Sequence, residues 1–159
     1  MEDQNSSRVI ALADRLKARD WRIAVAESLT GGQLAVYICQ GPQASGWFNG
    51  GIVAYQPAIK RKLLGVSDGP VVSERCALEM ARGVSELLEA EIGVALTGVG
   101  GPEPSDGHEA GTVWIAVHTP HNDLSRLAYL NGHPPGEVCD ISCAIAIDLA
   151  TEVLSSEPD

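Results

Sequence analysis

Trp21-Arg22-Ile23-Ala24-Val25-Ala26-Glu27-Ser28-Leu29-Thr30-Gly31-Gly32-Gln33 is the stretch on which the reading of the whole chain turns. An apolar run ends in an acidic residue and a hydroxyl residue. A threonine and two glycines follow, and a helix-forming segment opens at Gln33. Strand, sharp turn and helix in that order lift a serine out of a sheet edge and set it beside free backbone N–H groups. The pattern admits two readings. In one, Ser28 is a nucleophile and Thr30-Gly31-Gly32 helps to hold an anion. In the other, the hydroxyl caps the helix and the glycines only make the turn.

Around this stretch, strands and helices alternate. Ser6 to Arg19 reads as an amphipathic helix with Val9, Leu12, Ala13 and Leu16 on one face, capped by Ser6. Trp21 to Ala26 reads as a strand, Gln33 to Cys39 as a short helix, and Ile52 to Tyr55 as a second strand. Pro57 opens a helix that runs to Leu64, and Ser73 caps a longer one to Leu88. Ile92 to Leu96 is the continuous apolar run of a strand covered on both faces. Thr112 to Val117 and Ser125 to Leu130 form a hairpin, and a last helix spans Glu137 to Leu154. Ser155 to Asp159 reads as a frayed tail. This order specifies an α/β fold, a three-layer α/β/α sandwich on a mixed, mostly parallel sheet. With no internal repeat and no linker, residues 6–155 are expected to form a single domain.

Composition narrows the class of function. The 159 residues carry 11 Lys and Arg against 21 Asp and Glu, a net charge of −10. Such a surface disfavours nucleic acid and anionic lipid as partners. No apolar stretch approaches the roughly 18 residues of a membrane span. The acidic, polar start, Met1-Glu2-Asp3-Gln4-Asn5, does not resemble a secretory leader. Cys39, Cys76, Cys139 and Cys143 form no Cys-x-x-Cys pair and read as small buried hydrophobes in a reducing, cytoplasmic setting.

A second glycine loop, Thr97-Gly98-Val99-Gly100-Gly101-Pro102, also follows an apolar strand. If both strands are parallel, both loops meet at one sheet edge, where α/β proteins hold ligands. Neither loop is a Walker A sequence, and Pro102-Glu103 breaks the dinucleotide fingerprint. A serine nucleophile needs a base. Lys60 can serve if burial lowers its pKa from about 10.4 toward 7–8, with Tyr55 relaying a proton or holding the hydroxyl. Alternatively, Lys60, Arg61 and Lys62 form one solvated basic face. A Ser-His-Asp triad would draw on His108, His118, His121 or His133, of which His108 in the polar loop is best placed. His118-Thr119-Pro120-His121 has no evident third metal ligand, so no metal site is expected. Trp47 and Phe48 either line the pocket or anchor their loop to the core.

Taken together, these motifs resemble the C-terminal domain of the CinA (competence/damage-inducible) family, found alone as nicotinamide-nucleotide amidohydrolase. The matches run in order: Ala26-Glu27-Ser28-Leu29-Thr30-Gly31-Gly32, Ala44-Ser45, Phe48 to Tyr55, Lys60, Leu63-Leu64-Gly65-Val66, Val72-Ser73-Glu74, Thr97 to Pro102 and Gly111-Thr112-Val113-Trp114. The resemblance implies hydrolysis of nicotinamide mononucleotide (NMN) to nicotinic acid mononucleotide and ammonia, in pyridine-nucleotide salvage. It implies Ser28 as nucleophile with Tyr55 and Lys60 as catalytic partners, no cofactor and a homodimer. Glu27, Thr30, Gly31, Gly32, Ser45, Thr97, Gly98, Gly100 and Gly101 are expected to contact the substrate. The molybdopterin-binding-like domain of longer relatives is not expected here. The chain departs from the family pattern at Gly100, at Glu103-Pro104 and at His133 to Glu137, where the family commonly places a basic residue. The rival readings are an amidase for another small amide and a non-catalytic nucleotide-binding domain.

Overall fold

Large apolar side chains point to one face of the central sheet and small ones to the other. The computed structural model describes residues 2–158, in which five strands lie in the order β2 (Phe48–Val53), β1 (Ile23–Glu27), β3 (Ile92–Gly98), β4 (Thr112–His118) and β5 (Asp123–Tyr129). Strand β1 pairs in parallel with β2 and with β3; β4 and β5 are antiparallel additions. Ile23, Val25, Val94, Leu96, Ile115 and Val117 bury their side chains against α1 (Glu2–Arg19), α2 (Gln33–Cys39) and α5 (Pro135–Ser156). On the opposite face Ala24, Ala26, Ala95 and Ala116 meet α4 (Glu74–Leu87), with α3 (Pro57–Leu64) packed beside it. The sandwich expected from the alternation of elements is therefore present, parallel in β2-β1-β3 and antiparallel beyond.

The small-residue face lets α4 approach closely. A Cβ on Gly93 would lie 2.0 Å from the carbonyl oxygen of Ala81, and one on Gly83 would lie 2.0 Å from that of Leu64. The two glycines thus seat α4 on the sheet and α3 on α4. Ala77, Met80, Ala81 and Val84 bury one face of α4 while Leu87, expected on the same stripe, is exposed, and Ser73 caps the helix by accepting from the Cys76 N–H at 3.1 Å.

Several boundaries differ from the sequence reading, each for a local reason. Helix α1 begins at Glu2, so Ser6 lies inside it rather than capping it. Strand β2 covers Phe48–Val53, with Tyr55 beyond its end. Gly50 and Gly51 are strand residues because a side chain at Gly51 would strike Val25, its partner on β1, at 2.8 Å. Thr97 and Gly98 belong to β3; Gly98 passes so close to β4 that a Cβ would sit 2.4 Å from the Thr112 carbonyl oxygen. The C-terminal segment is pinned. Arg19 donates to the carbonyls of Leu154 (3.2 Å), Glu157 and Pro158 (3.0 Å), and the buried Glu157 carboxylate accepts from Thr119 and Asn122. The part of the tail at Asp159 lies outside the described residues. Among the cysteines, Cys76 and Cys143 are buried, Cys139 is half-buried and Cys39 is exposed. Trp47 is an anchor, buried in the core with its indole N–H donating to Pro42 O at 2.9 Å. Among the described residues no helix is long and apolar enough to cross a membrane.

The turn between β1 and α2 has an unusual cap. Gly32, at φ +110°, precedes the helix and has no side chain to cap it. Glu27 does so instead: Oε1 accepts from Thr30 Oγ1 (2.6 Å), Leu34 N–H (2.9 Å) and Gly32 N–H (3.2 Å), and Oε2 accepts from Ala35 N–H (2.9 Å). A carboxylate at a helix N-terminus satisfies orphan donors and complements the helix dipole.

Two stability measurements check this account. Gly93→Ala, which drives a methyl into the α4 backbone, should lower the urea midpoint by the equivalent of about 1–3 kcal/mol with an unchanged m-value. Glu27→Ala strips four donors of their acceptor and should cost about 3 kcal/mol or more; an equally stable variant would show that the turn holds without its carboxylate.

Candidate active site

The parallel pairing of β2, β1 and β3 brings three chain segments to one edge of the sheet. Glu27 is in register with Val53, and Ala54 N–H donates to Glu27 O at 2.8 Å, so Ser28 and Tyr55 emerge side by side. Ala26 is in register with Ala95, which sets Thr97 and Gly98 beside Ser28 on its other flank. At this edge lies a cavity of about 330 Å³, walled by Ser28, Leu29, Tyr55, Lys60, Val72, Thr97, the Gly98–Gly101 loop, Pro135 and Cys139. Glu103, Ser105 and Asp106 stand at its rim. The carboxyl ends of parallel strands are where open α/β sheets hold ligands.

Lys60 forms the floor. Helix α3 starts at Pro57, whose fixed φ suits the first helical position, and one turn later Lys60 points inward and is 1% exposed. Its Nζ lies 2.9 Å from Ser28 Oγ and donates to the Tyr55 carbonyl oxygen at 3.0 Å. Lys60 has no carboxylate partner among the described residues. Burial pushes its ammonium well below the ordinary value of 10.5, against weaker opposing pulls from Cys76 and Asp106. Its neighbours behave differently: Arg61 pairs with Asp68 at 3.2 Å and Lys62 is exposed. The basic run is thus one inward lysine and two outward cations.

Of the residues singled out by sequence, Ser28, Lys60, Tyr55, Thr97, Gly98, Gly100 and Gly101 converge on the cavity. Tyr55 contributes differently from expectation. Its side chain is 64% exposed, and its carbonyl, not its hydroxyl, contacts Lys60. Thr97 donates its hydroxyl proton to Val71 O at 2.7 Å. Gly101 sits at φ +90°, a glycine conformation, whereas a Cβ at Gly100 would make ordinary contact with Leu29 at 3.8 Å. The departure from pattern at Gly100 is thus sterically indifferent.

Glu27, Thr30, Gly31, Gly32 and Ser45 do not line the cavity. At Thr30-Gly31-Gly32, where an anion was expected, the Thr30 hydroxyl and the Gly32 and Leu34 N–H groups are given to Glu27. Ser45 lies before the amino end of β2, where its carbonyl and that of Gly46 accept from Arg22. None of the four histidines reaches the cavity: His108 bridges to Ser105, His118 contacts Asp123 and His133 contacts Glu137. Residues that the sequence reading missed include Cys139, whose thiol lies 3.5 Å from Leu29 O and is pushed up by burial, and Glu103 and Asp106 on the rim. A helical offset from Pro135 to Cys139 was the available signal for the first. Nothing in the spacing marks the other two.

Comparison with known proteins bears on this geometry. A model of the CinA C-terminal domain matches residues 6–154. A CinA-like protein of Frankia casuarinae is 38% identical over 149 residues, covering 91% of this chain and 34% of that protein. Protein YdeJ of Escherichia coli is 36% identical over 146 residues, 88% of this chain and 82% of the relative. The chain spans 29% of the length of a competence-damage inducible relative from Limosilactobacillus reuteri, with 42% identity over 121 residues. Among solved structures, a competence-damaged protein (CinA) superfamily member from Klebsiella pneumoniae superposes with a TM-score of 0.91 at 30% identity, covering 96% of this chain and 99% of that one. With its sheet order, its cavity and the match over residues 6–154, the chain belongs to the CinA C-terminal domain family.

Proposed function

We propose that this chain is an amidohydrolase that releases ammonia from the carboxamide of nicotinamide mononucleotide, leaving nicotinic acid mononucleotide. One observation carries the reading: a buried lysine amine, without a carboxylate partner, 2.9 Å from the hydroxyl of a serine at the wall of a substrate-sized cavity. Serine–lysine pairs are a known way to activate a hydroxyl for acyl transfer.

The chemistry follows from the contacts. Neutral Lys60 holds one proton against the Tyr55 carbonyl and offers its lone pair to the Ser28 hydroxyl. Ser28 Oγ attacks the carboxamide carbon as its proton passes to Lys60. The tetrahedral oxyanion lies against backbone N–H groups; those of Leu29, Gly100 and Gly101 donate to no other group among the described residues. Collapse breaks the C–N bond, and the Lys60 ammonium returns its proton to the departing nitrogen, so ammonia leaves and a Ser28 ester remains. Water then attacks the ester, again deprotonated by Lys60, and restores the serine. Tyr55 serves by its carbonyl, which orients the amine, and by a ring at the mouth.

Ammonia release from NMN by the purified protein tests the reading directly. Ser28→Ala and Lys60→Ala should each reduce kcat by about 10³-fold or more. No release by the unaltered protein removes the proposal, and full activity in Lys60→Ala removes the base. Because only the neutral amine accepts a proton, kcat/KM should fall as pH is lowered through the depressed Lys60 pKa.

Stability should fall with pH in the same direction as activity. The folded pKa of Lys60 lies below its unfolded value, so between the two the unfolded chain binds the additional proton. Stability is therefore lost as pH falls from about 10.5 through the folded pKa and is level below it. Lys60→Met removes that cost and should stabilise the inactive protein by about 1 kcal/mol at neutral pH, the gain shrinking toward pH 10. Urea denaturation at both pH values reads this out; a less stable Lys60→Met would contradict it.

A further inference from the structure

We infer that a second cavity, between α1 and the turn that follows α2, binds a small neutral aromatic compound whose carbonyl oxygen is held by the side-chain amide of Asn5. This cavity encloses about 340 Å³, close to the volume of the active-site cavity, and shares no described lining residue with it. Its occupant is therefore independent of the serine–lysine chemistry. Asn5 is out of place on its helix. Val9, Leu12 and Leu16 mark the buried stripe of α1, and one turn before Val9 the same stripe carries an amide that is 2% exposed. Arg8 Nη1 donates to Asn5 Oδ1 at 3.3 Å, which assigns the oxygen to that side and the amino group to the other. Asn5 Nδ2 has no hydrogen-bond partner among the described residues. A buried donor left unpaired costs stability that a leucine on the stripe would not. Asn5 belongs to the cavity wall, where an acceptor brought by a ligand completes its hydrogen bonding.

The rest of the wall defines the ligand. Val9, Ile10, Pro42 and the Tyr37 ring supply apolar surface, and none of the described lining residues is charged. An ionic ligand would leave water without meeting a counter-charge, whereas a neutral ring gains apolar contact and loses little. The walls are set before any ligand arrives. Tyr37 Oη donates to Asp140 at 2.9 Å and accepts from Gln33 Nε2 at 3.0 Å, which fixes the ring. Trp47 Nε1 holds the Pro42 carbonyl at 2.9 Å, and a Cβ on Gly41 would lie 2.6 Å from Val9 Cγ1, so the turn is pressed onto α1. A preformed cavity of this kind loses little affinity to the ordering of its walls.

The probe is acetophenone, a neutral ring with a carbonyl acceptor and no scissile amide, titrated into the isotope-labelled whole chain and followed by NMR. Its dissociation constant should be about 1 mM. The backbone N–H signals of Ile10, Gln40 and Gly41 should move, while those of Leu29 and Gly100 stay. Toluene, which lacks the acceptor, and benzoate, which adds a charge, should each bind about tenfold more weakly. Asn5→Leu removes the donor and keeps the bulk. Acetophenone should then bind no better than toluene, with the affinity for toluene changed by less than about twofold. Ile10→Trp, at an exposed position, should fill the cavity and abolish binding of both compounds; this variant and the acetophenone–toluene comparison decide the matter if Asn5→Leu does not fold. Equal binding of toluene and acetophenone overturns the proposal. So does an acetophenone constant that Asn5→Leu or Ile10→Trp leaves unchanged, or movement of the Leu29 and Gly100 signals in place of those at the cavity.

Discussion

The Glu27 carboxylate at the start of α2 is the contact on which the rest of the site depends. It is buried and accepts four hydrogen bonds from the turn that follows it. A buried carboxylate is tolerable only when its lone pairs are filled by donors, and a helix N-terminus has donors to spare. The two needs cancel within nine residues of chain. The result is a turn whose shape is set by charge as well as by Gly31 and Gly32, and Ser28 is carried on the near side of it. Because α2 has only seven residues, it is too short to persist on propensity alone. Its cap, its packing on β1 and its link to α5, through Tyr37 Oη donating to Asp140 at 2.9 Å, hold it in place.

The other half of the site is positioned by absence of side chain. Lys60 can reach beneath Ser28 only if α3 lies close to the sheet edge, and α3 is located by α4. Gly83 receives the Leu64 carbonyl where any side chain would clash, and Gly93 receives α4 itself. The alanines of the β1, β3 and β4 inner face keep that layer thin. Close packing of this kind transmits position with little slack, since interiors are nearly as dense as organic crystals. A nucleophile fixed by a hydrogen-bonded turn and an amine fixed by helix packing thus meet at 2.9 Å.

How much of this was legible in the sequence depended on the range of the forces involved. Helix α2 runs over Gln33–Cys39 as read, because Gly32 before it and Gly41-Pro42 after it are local stop signals. The hydrophobic period of α4 and the continuous run of β3 were equally plain. Strand β2 was misplaced because its glycines read as a turn, while their true role is to pass close to Val25 on β1. The tail appeared frayed because Arg19 and Thr119, which tie it down, are far away in sequence. In the site, Ser28 and Lys60 were identifiable as a pair, yet the inward turn of Lys60 among three consecutive cations was not. Glu27 was read as a substrate contact since its acceptors' partners lie three to eight residues ahead, within a turn whose geometry sequence spacing does not specify. Tyr55 was expected to act through its hydroxyl, whereas its contact with Lys60 is made by its carbonyl.

Burial explains how a lysine can sit beside a serine in an acidic protein without being locked as an ammonium. An ion pair would favour the charged form and abolish any capacity to accept a proton. Glu27 is the carboxylate nearest to Ser28 in sequence, and a rotation of its side chain away from α2 would turn a negative charge toward the cavity. Its four donors oppose that rotation, so its charge is balanced by the helix terminus and not by Lys60. The charges that do act on Lys60, from Cys76 and Asp106, are outweighed by burial. Desolvation therefore prevails over attraction at the amine. The cap of α2 thus sets the serine on its turn, and under the proposed chemistry it is burial that leaves the neighbouring amine able to take the serine's proton.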